Sequence, residues 1–233
     1  MSEPVRIALV GATGLVGRTI ITTTSAEAAG QIKLIGVARR EMQLPKGVRM
    51  EMVIADPANW GDVIAAIEPE VLICALGTTW KRAGKDEAAF RAVDQDLVLA
   101  SARAAVKAGA ERMVTISSVG ADLRSKNFYL RVKGEVEREL REVGFKRLDI
   151  LRPGLLKGPR ERDMRIGESL ARLASPLIDP MLRGDMIKYR SITAETVAKG
   201  ALELASRKAA GKFVHDNGGI WRAARDWDKR AGE

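Results

Sequence analysis

Residues 5 to 17 read Val-Arg-Ile-Ala-Leu-Val-Gly-Ala-Thr-Gly-Leu-Val-Gly, and this stretch decides the fold. Val5 to Val10 is an apolar run with the length and composition of one buried strand. Gly11, Gly14 and Gly17 follow at once, and Arg18 to Thr24 can continue as helix. Strand, glycine turn and helix together are the entry unit of a dinucleotide-binding α/β domain.

The three glycines are expected to do separate work. Gly11 permits the turn off the strand, Gly14 leaves room for a pyrophosphate, and Gly17 lets helix and sheet pack closely. N–H groups at the helix start and the helix dipole attract the phosphates. Thr13, Leu15 and Val16 complete this candidate phosphate loop. Its spacing is GxxGxxG rather than the more usual GxGxxG.

Further apolar runs alternate with helical patterns, as an α/β sheet requires. Ile32 to Ala38 is the second strand and ends in Arg39-Arg40. An acid at this strand end suits the ribose 2′-hydroxyl of NAD, whereas an arginine pair suits a 2′-phosphate. Val48 to Ala55 is the third strand, and Asp56 after it either reaches the adenine amino group or caps the next helix. Val71 to Leu76 is the fourth. Ligands in open parallel sheets sit beyond the carboxyl ends of strands, which makes Ala75, Leu76, Gly77 and Thr78 cofactor candidates.

Residues 86 to 108 read as helix, and Arg112 to Ser118 as the fifth strand. Lys126 to Val143 reads as a long helix, and Arg147 to Arg152 as the sixth strand, stopped by Pro153-Gly154. Lys157 to Arg172 is arginine-rich and begins as loop, and Ser175-Pro176 and Asp179-Pro180 break the chain again. Thr193 to Ser206 is a helix, Lys212 to His215 a short last strand, and the rest a charged tail that Trp221 and Trp227 can anchor. The expectation is a single doubly wound Rossmann domain over residues 1–233. Its mainly parallel sheet has six or seven strands in the order 3-2-1-4-5-6. Residues 155–192 and the tail form a small substrate-side region.

Bulk properties narrow the function. Hydrophobic residues make up 46% of the 233, and aromatics only 4%, so the core is aliphatic. Cys74, the single cysteine, rules out an internal disulfide, and one Cys with one His cannot build a typical metal site. No apolar segment reaches the length of a membrane span, and no secretory leader precedes the first strand, so a cytoplasmic location is expected. The net charge of +9 favours anionic ligands. Nucleic acid is not the expected partner, because the basic residues are dispersed among 30 acids without interleaved aromatics. Homo-oligomer formation is left open.

Tyr129 and Lys133 are four apart on a helix and share a face. Ser117 and Ser118 end the preceding strand. A hydroxyl, a phenol and an ammonium thus meet at the sheet edge where a nicotinamide would lie. An ammonium beside a phenol favours the phenolate, and a tyrosine so placed can exchange a proton with a carbonyl or alcohol oxygen. Trp80 either lines a substrate pocket or packs, His215 reads as a structural or surface histidine rather than a catalyst, and Arg160 to Arg172 read as a solvated helix face, with a cover over the cofactor or an anionic substrate as the alternative.

The chain resembles the short-chain dehydrogenase/reductases, and within them an atypical branch similar to the human Tat-interacting oxidoreductase-like protein. The resemblance runs nearly end to end. It rests on Gly11 to Gly17, Arg39-Arg40, Leu76-Gly-Thr-Thr79, Ser117-Ser118 with Gly120-Ala-Asp122, and Tyr129-Leu-Arg-Val-Lys-Gly-Glu-Val-Glu137. Arg152-Pro-Gly154 and Val214-His215-Asp216 extend it. It implies Tyr129 as proton donor or acceptor, Lys133 as its partner, and Ser118 as the favoured serine. It implies cofactor contacts at Thr13, Arg39, Arg40, Leu76, Gly77 and Leu156, with Ser117, Pro153 and Leu155 beside them. NADP(H) is expected in preference to NAD(H), with a small carbonyl or alcohol as substrate. One departure is plain: many family members place an asparagine in the helix after strand four, and residues 86 to 108 contain none. The competing readings are an NADP(H)-sensing regulator without turnover and a nucleotide-sugar epimerase, for which the chain after Gly154 is short.

Overall fold

The computed structural model describes residues 3–27, 30–44, 46–48, 50–158 and 184–231. Strand β1 (Val5–Val10) leads into helix α1 (Leu15–Glu27), followed by β2 (Ile32–Ala38) and β3 (Glu51–Ile54). Helix α2 (Trp60–Ile67) precedes β4 (Val71–Cys74). Next come α3 (Glu87–Arg91), a π-helical turn (Ala92–Asp96) and α4 (Leu97–Lys107), then β5 (Arg112–Ile116), α5 (Phe128–Leu140) and β6 (Arg147–Leu151). A two-residue pair follows, β7 (Leu156–Lys157) and β8 (Ile192–Thr193), then α6 (Ala194–Ser206), β9 (Gly211–His215) and α7 (Asn217–Ala231).

The main sheet has seven strands in the order β3-β2-β1-β4-β5-β6-β9, all parallel. Alternation along β1 explains its two buried faces. Ile7 and Leu9 join a cluster with Val16, Ile20, Val197 and Ala201 from α1 and α6, while Ala8 and Val10 join Ile64, Phe90, Val98 and Val132 on the other face. The strand order reverses between β1 and β4, so the crevice beyond their carboxyl ends is the topological switch point of the sheet.

Several boundaries differ from the expected ones. The third strand is confined to Glu51–Ile54, an edge segment with only one neighbour. The helix expected over 86 to 108 is interrupted by the π turn. The charged tail is a fifteen-residue helix that buries Ile220, Ala223 and Trp227 against α6 and the sheet. The arginines from Arg160 to Arg172 and the breaks at Ser175-Pro176 and Asp179-Pro180 lie outside the described residues.

Candidate active site

The glycine loop closes on itself where Gly14 N–H donates to the Gly11 carbonyl at 3.0 Å. A Cβ on Gly11 would come within 2.4–2.6 Å of the Ala75 and Leu76 backbone, and one on Gly17 within 2.3 Å of the Gly11 oxygen. Close packing of β1, β4 and α1 therefore demands both glycines. Gly14 is different. A Cβ there would meet only the Gly11 and Ala75 oxygens, at 3.4 and 3.9 Å, which the fold tolerates. Its bareness serves no packing need, and it is exposed beside the first turn of α1, where N–H groups lack intrahelical partners. The loop thus fits a pyrophosphate. Arg39 and Arg40 stand exposed in the bend directly after β2. Asp56 also lies at the carboxyl edge, and its Oδ1 accepts Ala58 N–H at 2.9 Å, capping a short turn.

Helix α5 carries the candidate chemistry. Asn127 caps it by accepting Leu130 N–H at 3.2 Å, an interaction of about 1 kcal/mol. Gly134 lets it approach the turn before it: a Cβ there would stand 2.6 Å from the Asp122 carbonyl carbon. Lys133, one residue earlier, is buried, and its Nζ lies 2.9 Å from Asp94 Oδ1 and 6.0 Å from the centre of the Tyr129 ring. Burial pulls the Lys133 pKa down, but Asp94, Tyr129 and Cys74 around it outweigh that and the net direction is up, so the ammonium is held charged. Asp94 Oδ2 accepts Thr78 N–H at 2.7 Å. One carboxylate thereby joins the loop after β4 to the lysine on α5. Cys74 lies nearby and is inert as a thiol, because burial pushes its pKa up to about 11.

The two serines differ. Ser117 is buried, and its hydroxyl donates to Glu137 Oε1 at 2.5 Å. Glu137 in turn pairs with Arg152, whose pKa it raises. Ser117 is thus a strut of an internal network. Ser118 is half-buried, with its hydroxyl 3.3 Å from the Val119 carbonyl. Its backbone is set by two bonds that extend the β5–β6 ladder, Ser117 N–H to Leu151 O at 2.7 Å and Val119 N–H to Pro153 O at 3.0 Å. Leu155 and Leu156 follow Pro153 into the β7–β8 pair, where Ile192 N–H donates to Leu155 O at 2.9 Å. His215 is structural: its Nε2 meets Asp149 Oδ1 at 2.8 Å, and Asp149 also holds Arg147.

Three residues were missed by the sequence reading. Asp94 and Glu137 carry a signal that reading did not use, a carboxylate inside an apolar stripe, as in Phe90, Asp94, Val98 and in Val132, Val136, Glu137, Leu140. Asn217 carries none. It is fully buried, accepts Gly154 N–H at 2.9 Å and donates to Arg190 O at 2.6 Å, tying the sheet edge to the returning chain. Among the described residues, no cluster of His, Cys, Asp and Glu suits a metal ion, and no helix is long and apolar enough to cross a membrane.

A family model described as NAD(P)H-binding matches residues 11–208. "Protein fmp52, mitochondrial" of Emericella nidulans is 39% identical over 172 residues, covering 71% of this chain and 72% of the relative. Among solved structures, a putative NAD-dependent epimerase/dehydratase from Bacillus halodurans superposes with a TM-score of 0.67 at 21% identity, covering 95% of this chain and 99% of that one. MoeE5 in complex with UDP-glucose and NAD gives 0.68 at 18%, over 97% and 82%. At these identities the structural matches speak to the fold. The names of the fungal relatives overturn the cytoplasmic location, since each is called mitochondrial. The expectation rested on lacking an apolar leader and span, and neither feature distinguishes one aqueous compartment from another.

Proposed function

The chain belongs to the NAD(P)H-binding family, and from that premise we propose that it is an NADP(H)-dependent oxidoreductase of the atypical short-chain dehydrogenase/reductase type. Its substrate is a small carbonyl compound or alcohol. The observation that carries this reading is the sealed Asp94–Lys133 pair beneath the Tyr129 ring, beside a glycine loop with room for a pyrophosphate. The fungal relatives' names support a mitochondrial location.

Gly14 and the start of α1 would hold the pyrophosphate, and Arg39 and Arg40 the 2′-phosphate. Leu76, Gly77 and Thr78 line the nicotinamide side. NADPH held there would supply the hydride that the carbonyl carbon takes up, being oxidised to NADP+. Tyr129 gives its phenolic proton to the carbonyl oxygen, so that one carbonyl becomes one alcohol. Ser118 donates a hydrogen bond to the same oxygen and orients it. Lys133, kept charged by Asp94, stabilises the phenolate that results and reaches the nicotinamide ribose.

The test is a carbonyl-compound screen with NADPH, following cofactor absorbance. Consumption of NADPH that depends on both substrate and Tyr129 supports the enzyme. Tight NADPH binding with no turnover of any compound, and a change of conformation on binding, favours a sensor built on the same site.

A further inference from the structure

The loop after β4 ends in an aromatic wall, and the chain is poor in aromatics elsewhere. Of four Phe, four Trp and two Tyr, the wall takes Phe90, Phe128, Trp80 and Tyr129. Phe90 is its buried centre, 1% exposed. Trp80 and Tyr129 both lean on it, with ring centres at 6.4 and 5.9 Å, and Phe128 closes the gap to Trp80 at 5.4 Å. Trp80 is nevertheless 41% exposed and Tyr129 37%. Two large rings thus stand open to solvent, and the second of them lies over Lys133.

The wall is rigid. Turn bonds close the loop that bears Trp80, from Ala83 N–H to Thr79 O at 2.9 Å, Lys85 N–H to Trp80 O at 2.9 Å and Arg82 N–H to Thr79 Oγ1 at 3.0 Å. The Thr78 N–H bond to Asp94 fixes the same loop to the charged pair. A fixed indole with one free side offers flat ligands a stacking surface with little left to order on binding.

We propose that the exposed aromatic wall beside Tyr129 binds planar aromatic carbonyl compounds, stacked on the Trp80 indole. This rests on the oxidoreductase reading for its chemistry, but the binding preference follows from the wall alone. The aromatic body lies on Trp80, and its carbonyl points along the wall toward Tyr129.

The experiment compares 2-acetonaphthone with cyclohexyl methyl ketone, two methyl ketones that differ in a flat aromatic against a puckered aliphatic body. Calorimetric affinities are measured on the full chain with NADP+ present, and turnover with NADPH is measured in parallel. The aromatic ketone is expected to bind about tenfold tighter. Trp80→Ala should erase most of that advantage, costing the aromatic ketone far more than the aliphatic one and leaving the affinity for NADP+ unchanged, and Trp80→Phe should restore part of it. Equal affinity for the two ketones, or an advantage that survives Trp80→Ala, overturns the proposal. Trp80-dependent binding without turnover upholds the stacking surface and counts against the oxidoreductase reading alone, which the wider carbonyl screen then decides. Turnover that favours the aliphatic ketone does the reverse.

Discussion

Asp94 Oδ1 lies 2.9 Å from Lys133 Nζ, and the two side chains are 1% and 6% exposed. The pair joins the helix after β4 to the helix after β5, and through Thr78 N–H it reaches the loop that follows β4. A buried ammonium without a partner would lose its proton; this one is held charged. Asp94 stands in the helix where the sequence pattern lacked an asparagine. The π turn that carries it, Ala92–Asp96, departs from α geometry, a device found often at functional sites.

Asp94→Asn should therefore change stability in a pH-dependent way. In the parent, the folded-state pKa of Lys133 lies above its unfolded value of 10.5. The stabilisation this gives is fully present below pH 10.5 and is lost as pH rises through the folded value. In the variant, burial acts without Asp94 to oppose it, so the penalty is greatest at neutral pH and eases as pH rises. Urea melts of both proteins at pH 7, 9 and 10.5 should find the gap widest at pH 7, at about 3–5 kcal/mol if the charge is left wholly unpaired. A gap that widens with pH would contradict the assignment of Asp94 as the group that keeps Lys133 charged.

The two glycine roles can be separated. Gly17→Ala puts a methyl 2.3 Å from the Gly11 oxygen and should lower the melting temperature with or without cofactor. Gly14→Val has only the 3.4 Å contact of its Cβ to absorb from the fold, so it should stay folded and lose NADPH affinity. Differential scanning calorimetry with a titration of each variant distinguishes them. A folded Gly14→Val protein with parental affinity would move the pyrophosphate elsewhere.

Strand order and the switch point were legible because β1, β2, β4, β5 and β6 are buried on both faces and read as continuous apolar runs. The tail helix was not. It opens with Asn217-Gly-Gly, poor helix formers, and its stability comes from Trp227 and Ile220 packing on distant elements. β3 was overextended because Val48 and Met50 are apolar for a different reason: they pack on the core cluster outside any ladder. Tyr129 and Lys133 were visible through their spacing. Asp94 showed only as a carboxylate inside an apolar stripe, and that pattern does not name its partner, which lies on another helix.

Arg39→Ala with Arg40→Ala should weaken NADPH binding by about a hundredfold and NADH binding little. The two guanidinium groups lie exposed just past β2, and charge-assisted bonds to a phosphate contribute about 1.5–3 kcal/mol. Titrations of both cofactors at two salt concentrations are the measurement. The NADPH difference should shrink at high salt, because exposed charges are screened. Equal weakening of the two cofactors would mean that the arginines do not read the 2′-phosphate.

Tyr129→Phe separates proton transfer from packing. The ring leans edge-on against Phe90 at 5.9 Å, a contact that phenylalanine keeps. Turnover should fall by about a hundredfold or more, the scale of general acid catalysis, while NADPH affinity stays near the parent's. Lys133→Ala should behave differently. It strips Asp94 of its ion-pair partner inside the fold, so stability, cofactor affinity and turnover should all fall together. Lys133→Arg tests whether charge alone suffices. Its planar fork is bulkier than an ammonium in a site with almost no exposed surface, so charge would return with the geometry displaced. Steady-state rates, cofactor titrations and melts of the three variants give three distinct patterns. If Tyr129→Phe keeps parental turnover, the proton comes from another group, and the half-buried Ser118 hydroxyl becomes the next residue to test.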